Sequence, residues 1–248
     1  MNVLKPLSVY IHIPFCKSKC AYCDFASWPG REDAWEAYFA ALRAEIRAAA
    51  DGEHRVETVF FGGGTPSPVP EKYIGAALAV VAEAFPLAPG AEISLEANPG
   101  TLSMEKLRAY REMGINRLSI GVQSFDGRLL REIGRIHTPE AAREAVRMAR
   151  AAGFANVSID LMYGLPGQDM AAWQSTLATA LSLPLEHISA YALIVEEGTP
   201  MAARASELPG EEKVLGMQRL ATRALAAAGF ARYEISNYAH AGFACRHN

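Results

Sequence analysis

The chain alternates short apolar runs, rich in β-branched and aromatic residues, with longer alanine-rich stretches. The first kind comprises LSVYIHI (7–13), ETVFFG (57–62), EISLEA (92–97), RLSIGV (117–122), VSIDLMY (157–163) and HISAYAL (187–193). Runs of this length and composition predict strands. Between them, segments 31–50, 70–85, 103–114, 138–153 and 170–183 carry apolar positions at helical spacing behind prolines or capping residues. These predict helices. Strands separated by crossover helices form parallel, right-handed βα units. The expected fold class is therefore α/β, as an open doubly wound sheet or a partial barrel. In both, chemistry gathers at the C-terminal ends of the strands. The polar and glycine-rich segments CKSKCAYC, GGGTPS, EANPG, GVQSF and YGLPGQ all follow strands, so one mouth collects them.

After about residue 205 the pattern changes. Residues 208–230 read as a longer helix, and RYEISNYA (232–239) as a strand packing beside the barrel. The expected organisation is a core over 1–205 and the start of a C-terminal α+β domain over 206–248. The abrupt stop at His247-Asn248 reads as truncation within that domain.

Composition narrows the partners. With 248 residues, 50% hydrophobic and 21% charged, the chain can bury one sizeable core. Its net charge of −3 gives no basic footprint for nucleic acid. No stretch approaches the roughly 18 uncharged apolar residues of a membrane span, so no transmembrane segment is expected. The N-terminus lacks the features of a secretory signal. Clustered cysteines without a secretory context predict a reducing, cytoplasmic location and a metal centre rather than disulfides.

Cys16, Cys20 and Cys23 form C-x3-C-x2-C directly after the first strand. Three thiolates can hold three irons of a [4Fe–4S] cluster, whose usual complement is four, leaving one iron open to an outside ligand. The alternative is a zinc site completed by His12. Cys245, far away in sequence, reads as a small buried hydrophobe. The glycines of FFGGGTPS (60–67) allow close backbone approach and expose N–H groups. Glu96 and Gln123 close the third and fourth strands. Arg135 suits bidentate pairing with a carboxylate. Asp160 interrupts an apolar strand, where a buried acid needs partners. Taken singly, each of these also has an ordinary structural reading. His137, His187 and His240 read as structural.

The string YIHIPFCKSKCAYCDF (10–25) resembles the signature of radical S-adenosylmethionine (radical SAM) proteins, and within them the oxygen-independent coproporphyrinogen III oxidase group. The resemblance covers almost the whole chain, with the motifs in order. It implies a partial (βα)6 TIM-like barrel in which SAM chelates the open iron. An electron from the cluster then cleaves SAM to a 5′-deoxyadenosyl radical, while the protein positions and shields the reacting groups. By the same resemblance Gly63, Gly64 and Thr65 contact SAM, together with Glu96, Gln123, Arg135 and Asp160. Tyr10 and Tyr22 flank the cluster loop, and Ile194 ends the sixth strand. In the oxidase some equivalents serve a second SAM molecule.

Two departures separate the chain from the true oxidases. Phe25 stands where they carry an extra cysteine, and the first strand begins by residue 7, without their N-terminal extension. Both departures, and the string SIDLMYGLPGQ (158–168), resemble the HemW-type heme chaperone branch. CRHN (245–248) resembles the start of that branch's HNxxYW motif, which implies His247 as a heme ligand. The expected function is heme binding and transfer to heme-acceptor proteins, served by an electron donor. Membrane-associated acceptors, engaged transiently, are among the admissible partners. The alternatives are coproporphyrinogen oxidation, an activity not expected here, and a radical SAM reaction on another substrate.

Overall fold

In the computed structural model, which describes residues 4–248, the six apolar runs become neighbouring parallel strands in chain order. Strand β1 (Lys5–Ile13) leads into the short pair β2 (Phe15–Cys16) and β3 (Trp28–Pro29), which brackets the cysteine loop. There follow α1 (Trp35–Ala48), β4 (His54–Gly63), α2 (Glu71–Ala84), β5 (Leu87–Ala97), α3 (Met104–Glu112) and β6 (Arg117–Gln123). Next come α4 (Gly127–Glu132), α5 (Pro139–Ala151), β7 (Asn156–Tyr163), α6 (Met170–Leu181) and β8 (His187–Ala192). A 3-10 helix (Pro200–Glu207) precedes α7 (Glu211–Ala227), β9 (Ala231–Arg232) and β10 (Asn237–Ala239).

The sheet order is β1-β4-β5-β6-β7-β8-β10-β9. Its first six strands are parallel, and β10 runs antiparallel to both β8 and β9. RYEISNYA, expected as one strand, splits into β9 and β10 around residues 233–236, and the two form an edge of the same sheet; α7 packs on α6 beyond the 3-10 helix.

Each strand alternates its side chains between two environments. Val59, Phe61, Ile93, Leu95, Leu118, Ile120, Val157 and Ile159 are buried in the main apolar cluster with Leu78, Val81, Leu107, Val146 and Trp173 of the helices. Apart from Phe60, the residues between them are polar or small: Thr58, Glu92, Ser94, Glu96, Ser119, Ser158, Asp160 and Ser189. Parallel strands covered on both faces are usually apolar throughout. The polar inner row therefore marks a lumen rather than a filled core.

Residues 245–248 show that the sheet curls. Cys245 N donates to Tyr233 Oη at 3.1 Å, and that hydroxyl bonds His187 of β8 at 2.7 Å. Arg246 N donates to Glu92 of β5 at 3.1 Å, and His247 Nδ1 pairs with Thr58 Oγ1 of β4 at 2.8 Å. A four-residue segment can touch β4, β5 and the β8 edge only across a concave face. The architecture is a partial, open barrel with this segment on its floor.

Two other elements also depart from the expected pattern. β5 begins at Leu87 rather than 92, because Val56 and Leu87 pair before a register shift. The helix Gly127–Glu132, absent from the expected set, is started by Asp126, whose carboxylate accepts from Arg128 N and Leu129 N.

Candidate functional site

A cavity of about 320 Å³ opens at the C-terminal ends of the strands. Its walls include Cys16, Cys20, Cys23, Tyr22, Gly63, Gly64, Thr65, Glu96, Gln123, Arg135, Asp160 and Ile194. These are twelve of the fourteen residues expected at the site. They come from six different strand ends, brought together by the curl of the sheet.

The cysteine loop is held from several sides. Ala21 N donates to Ile133 O at 3.1 Å, Met201 N to Ala21 O at 2.9 Å, and Lys19 Nζ to Phe25 O at 3.0 Å. Gly64 N and Thr65 N donate to Ile13 O and Phe15 O, each at 2.8 Å. The glycine segment therefore uses two of its N–H groups to bind the strand leading into the cysteines, where exposure of free N–H groups was expected. Glycine is required there by space: a Cβ on Gly64 would lie 2.8 Å from Phe15 O and 3.0 Å from Cys16 Sγ. Gly63 has φ +111, and a Cβ would meet the His12 ring at 2.7 Å.

The donor set fits a thiolate-held cluster. All three thiols face one cavity, and Arg135 Nη1 donates to Cys20 Sγ at 3.4 Å. Cys16 Sγ lies 3.7 Å from Thr65 Oγ1. Burial pushes the Cys23 thiol above its ordinary value, so a thiolate there calls for a cationic partner. Among the described residues, no three His, Cys, Asp or Glu side chains converge on a point that one metal ion could occupy. A cluster spreads its thiolates over separate irons and needs no such convergence. His12, the fourth ligand of the zinc alternative, pairs its Nε2 with Ala26 O at 2.8 Å. Cys245 lies elsewhere, buried with its Sγ 3.5 Å from Glu92.

Opposite the thiols stand two carboxyls. Burial and the neighbouring Asp160 push Glu96 up to about 8. Asp160 is also pushed up by burial, although Ser119 Oγ donates to it at 3.2 Å. Near neutrality the pair thus retains a proton and can both donate to and accept from a bound ligand. Gln123 adds strain: among the described residues it alone, glycines aside, has positive φ, at 64°. It sits at the β6 register shift, where its Oε1 accepts from Tyr191 Oη at 3.1 Å. Such backbone strain concentrates at ligand-gripping positions. Arg135 Nη2 also bonds Gly121 O, and its Nε is buried without a partner.

Tyr10 and His247 stand apart from this cavity. Tyr10 stacks on Phe60 with ring centroids 6.1 Å apart, and His247 lies 5.2 Å from Phe60 and 6.3 Å from Tyr10. The three rings occupy the inner wall below the cavity, and a Cβ on Gly62 would touch Glu96, Phe60 and Tyr10 at 3.0 Å. Tyr191 and Ser119 line the cavity without having been singled out in the sequence. Their signal was phase: both share the inward alternation of Asp160 on neighbouring strands.

The profile of the radical SAM superfamily matches residues 10–180. The proteins called heme chaperone HemW from Bacillus subtilis and Escherichia coli K12 are each 40% identical, over 97% and 100% of this chain. The Haemophilus influenzae protein of the same name is 38% identical over 100% of it. The chain spans 65%, 66% and 67% of these three relatives, about two thirds of their length. Among solved structures, the Escherichia coli coproporphyrinogen III oxidase HemN, described as a radical SAM enzyme, superposes with a TM-score of 0.88 at 29% identity. That match covers 96% of this chain and 56% of the oxidase. An archaeal Elp3 superposes at 0.59 with 18% identity, over 88% of this chain and 53% of its own, a likeness of fold alone.

Proposed function

The chain belongs to the radical SAM superfamily, in its HemW-type branch, and from that membership we propose that it binds heme and passes it to acceptor proteins. The observation that carries this reading over the oxidase is the content of the cavity mouth. Phe25, 63% exposed, lines the cavity at the position where the oxidases are expected to carry a further cysteine. Identity points the same way: 38–40% to the three chaperones against 29% to the oxidase structure.

Cys16, Cys20 and Cys23 would hold the [4Fe–4S] cluster, and the opposite wall would hold SAM. When bound, the pair supplies one-electron reductive chemistry. The chain's own residues do the rest. Arg135 fixes the Cys20 sulfur, and Glu96 and Asp160 offer hydrogen bonds of both senses to a polar ligand. Gly64 admits the close approach of the cysteine strand. His247 would ligate heme iron from the inner wall, beside Tyr10 and Phe60.

The test uses anaerobically reconstituted protein offered heme or coproporphyrinogen III, each with SAM and a reductant. Heme retention followed by absorbance, with no decarboxylated porphyrin on chromatography, is the expected result. His247→Ala should then weaken heme retention. Turnover to protoporphyrinogen would replace this reading with the oxidase.

A further inference from the structure

Behind the cysteine loop lies a second cavity, of about 280 Å³, and Cys16 is a wall of both. On its inner side Cys16 faces Thr65 and the glycine segment. On its outer side the second cavity is bounded by Phe15, Trp35, Gly100 and Thr101, with Lys17, Arg31 and Lys106 facing it against one carboxylate, Glu32.

The charge balance here is opposite to that of the chain. The whole protein carries −3, whereas this notch has three cations and one anion in its walls. Lys17 and Arg31 are exposed, and Arg31 Nε is paired with the exposed Asp33 at 3.3 Å. Lys106 Nζ donates to Ser67 O and to Val69 O at 3.1 Å, which leaves one of its three donors free. Near it stands one exposed aromatic: Trp28, paired with Phe15 across β2 and β3, is 55% exposed. An exposed tryptophan near an exposed arginine matches residue types enriched at protein-docking surfaces.

We propose that this notch docks an acidic one-electron carrier protein, which sets carboxylates among Lys17, Arg31 and Lys106 and passes its electron to the cluster past Cys16. The inference rests on the cluster reading above. One electron leaves the carrier's reduced centre and enters the cluster, and no atom is transferred. The route follows from the two cavities: a ligand bound over the cluster fills the first, while the second also has Cys16 in its wall. Local positive charge orients an acidic carrier even though both proteins are negative overall.

The experiment measures anaerobic reduction of the reconstituted cluster by stopped flow, with two reductants. One is a reduced plant-type [2Fe–2S] ferredoxin, used as the acidic probe, and the other is reduced methyl viologen, a small cation. In Lys17→Glu/Arg31→Glu, reduction by the ferredoxin should slow by about tenfold or more at low ionic strength and lose most of its salt dependence. Reduction by the viologen, and iron and sulfide content, should match the unsubstituted protein. Lys17→Gln/Arg31→Gln should fall between. An unchanged ferredoxin rate overturns the proposal, as does equal slowing with both reductants, which would locate the effect in the cluster. Unsubstituted protein that takes up no iron and sulfide overturns the cluster reading, and this inference with it.

Discussion

Arg135 donates from Nη1 to the Cys20 sulfur at 3.4 Å, joining residues 115 positions apart. The same guanidinium bonds Gly121 O at the end of β6. One half-buried cation therefore ties the cysteine loop to the strained strand end that carries Gln123. Arg135→Ala should lower iron and sulfide uptake and cost about 1–3 kcal/mol of stability from the lost charged hydrogen bonds. Arg135→Lys keeps the charge without the fork and should restore only part of the uptake.

The four cysteines should divide three to one. Alanine at Cys16, Cys20 or Cys23 should remove the roughly 400 nm iron–sulfur absorbance of reconstituted protein. Alanine at Cys245, whose thiol contacts Glu92 on the floor, should leave that absorbance in place. Iron and sulfide analysis of the four variants decides; loss of both in Cys245→Ala would mean that the floor cysteine is a ligand.

Glu96 predicts a pH dependence in the cofactor-free protein. Its carboxyl is raised from 4.5 to about 8 by burial and by Asp160. Between those values the unfolded chain has released the proton and the folded one retains it. Stability should fall as pH rises from about 5 through 8. Thermal midpoints of Glu96→Gln should be flatter across this range, and a parallel decline in both proteins would remove Glu96 as the cause.

Gly64 is expected to tolerate no side chain. Gly64→Ala drives a methyl into Phe15 O and Cys16 Sγ and should cost about 1–3 kcal/mol together with much of the iron uptake. Gly100→Ala, whose Cβ would find only the His137 side chain at 3.7 Å, should stay within about 0.5 kcal/mol. Denaturant midpoints of the two variants make the comparison.

The six parallel strands, the helices between them and the cysteine triad were legible in the sequence. Periodicity, capping and spacing are written over a few neighbouring residues and act locally. Asp160 could be singled out because an acid inside an apolar strand needs a partner wherever it lies. The identity of that partner, Ser119, and the placing of Glu96 nearby were decided by which strands stand side by side and how they curl. Tyr191 and Ser119 joined the site for the same reason, through alternation in phase across β6, β7 and β8. The N–H of Gly64 looked like a free donor until the fold laid Ile13 O against it. Residues 245–248 show the limit most sharply: nothing local in CRHN says that it reaches Thr58, Glu92 and Tyr233 at once. By itself the sequence determined the strands, their alternation and the thiol chemistry, because those depend on neighbours in the chain. Only the tertiary structure decided what the inward residues face, because closing the sheet sets distances between groups that no local preference relates.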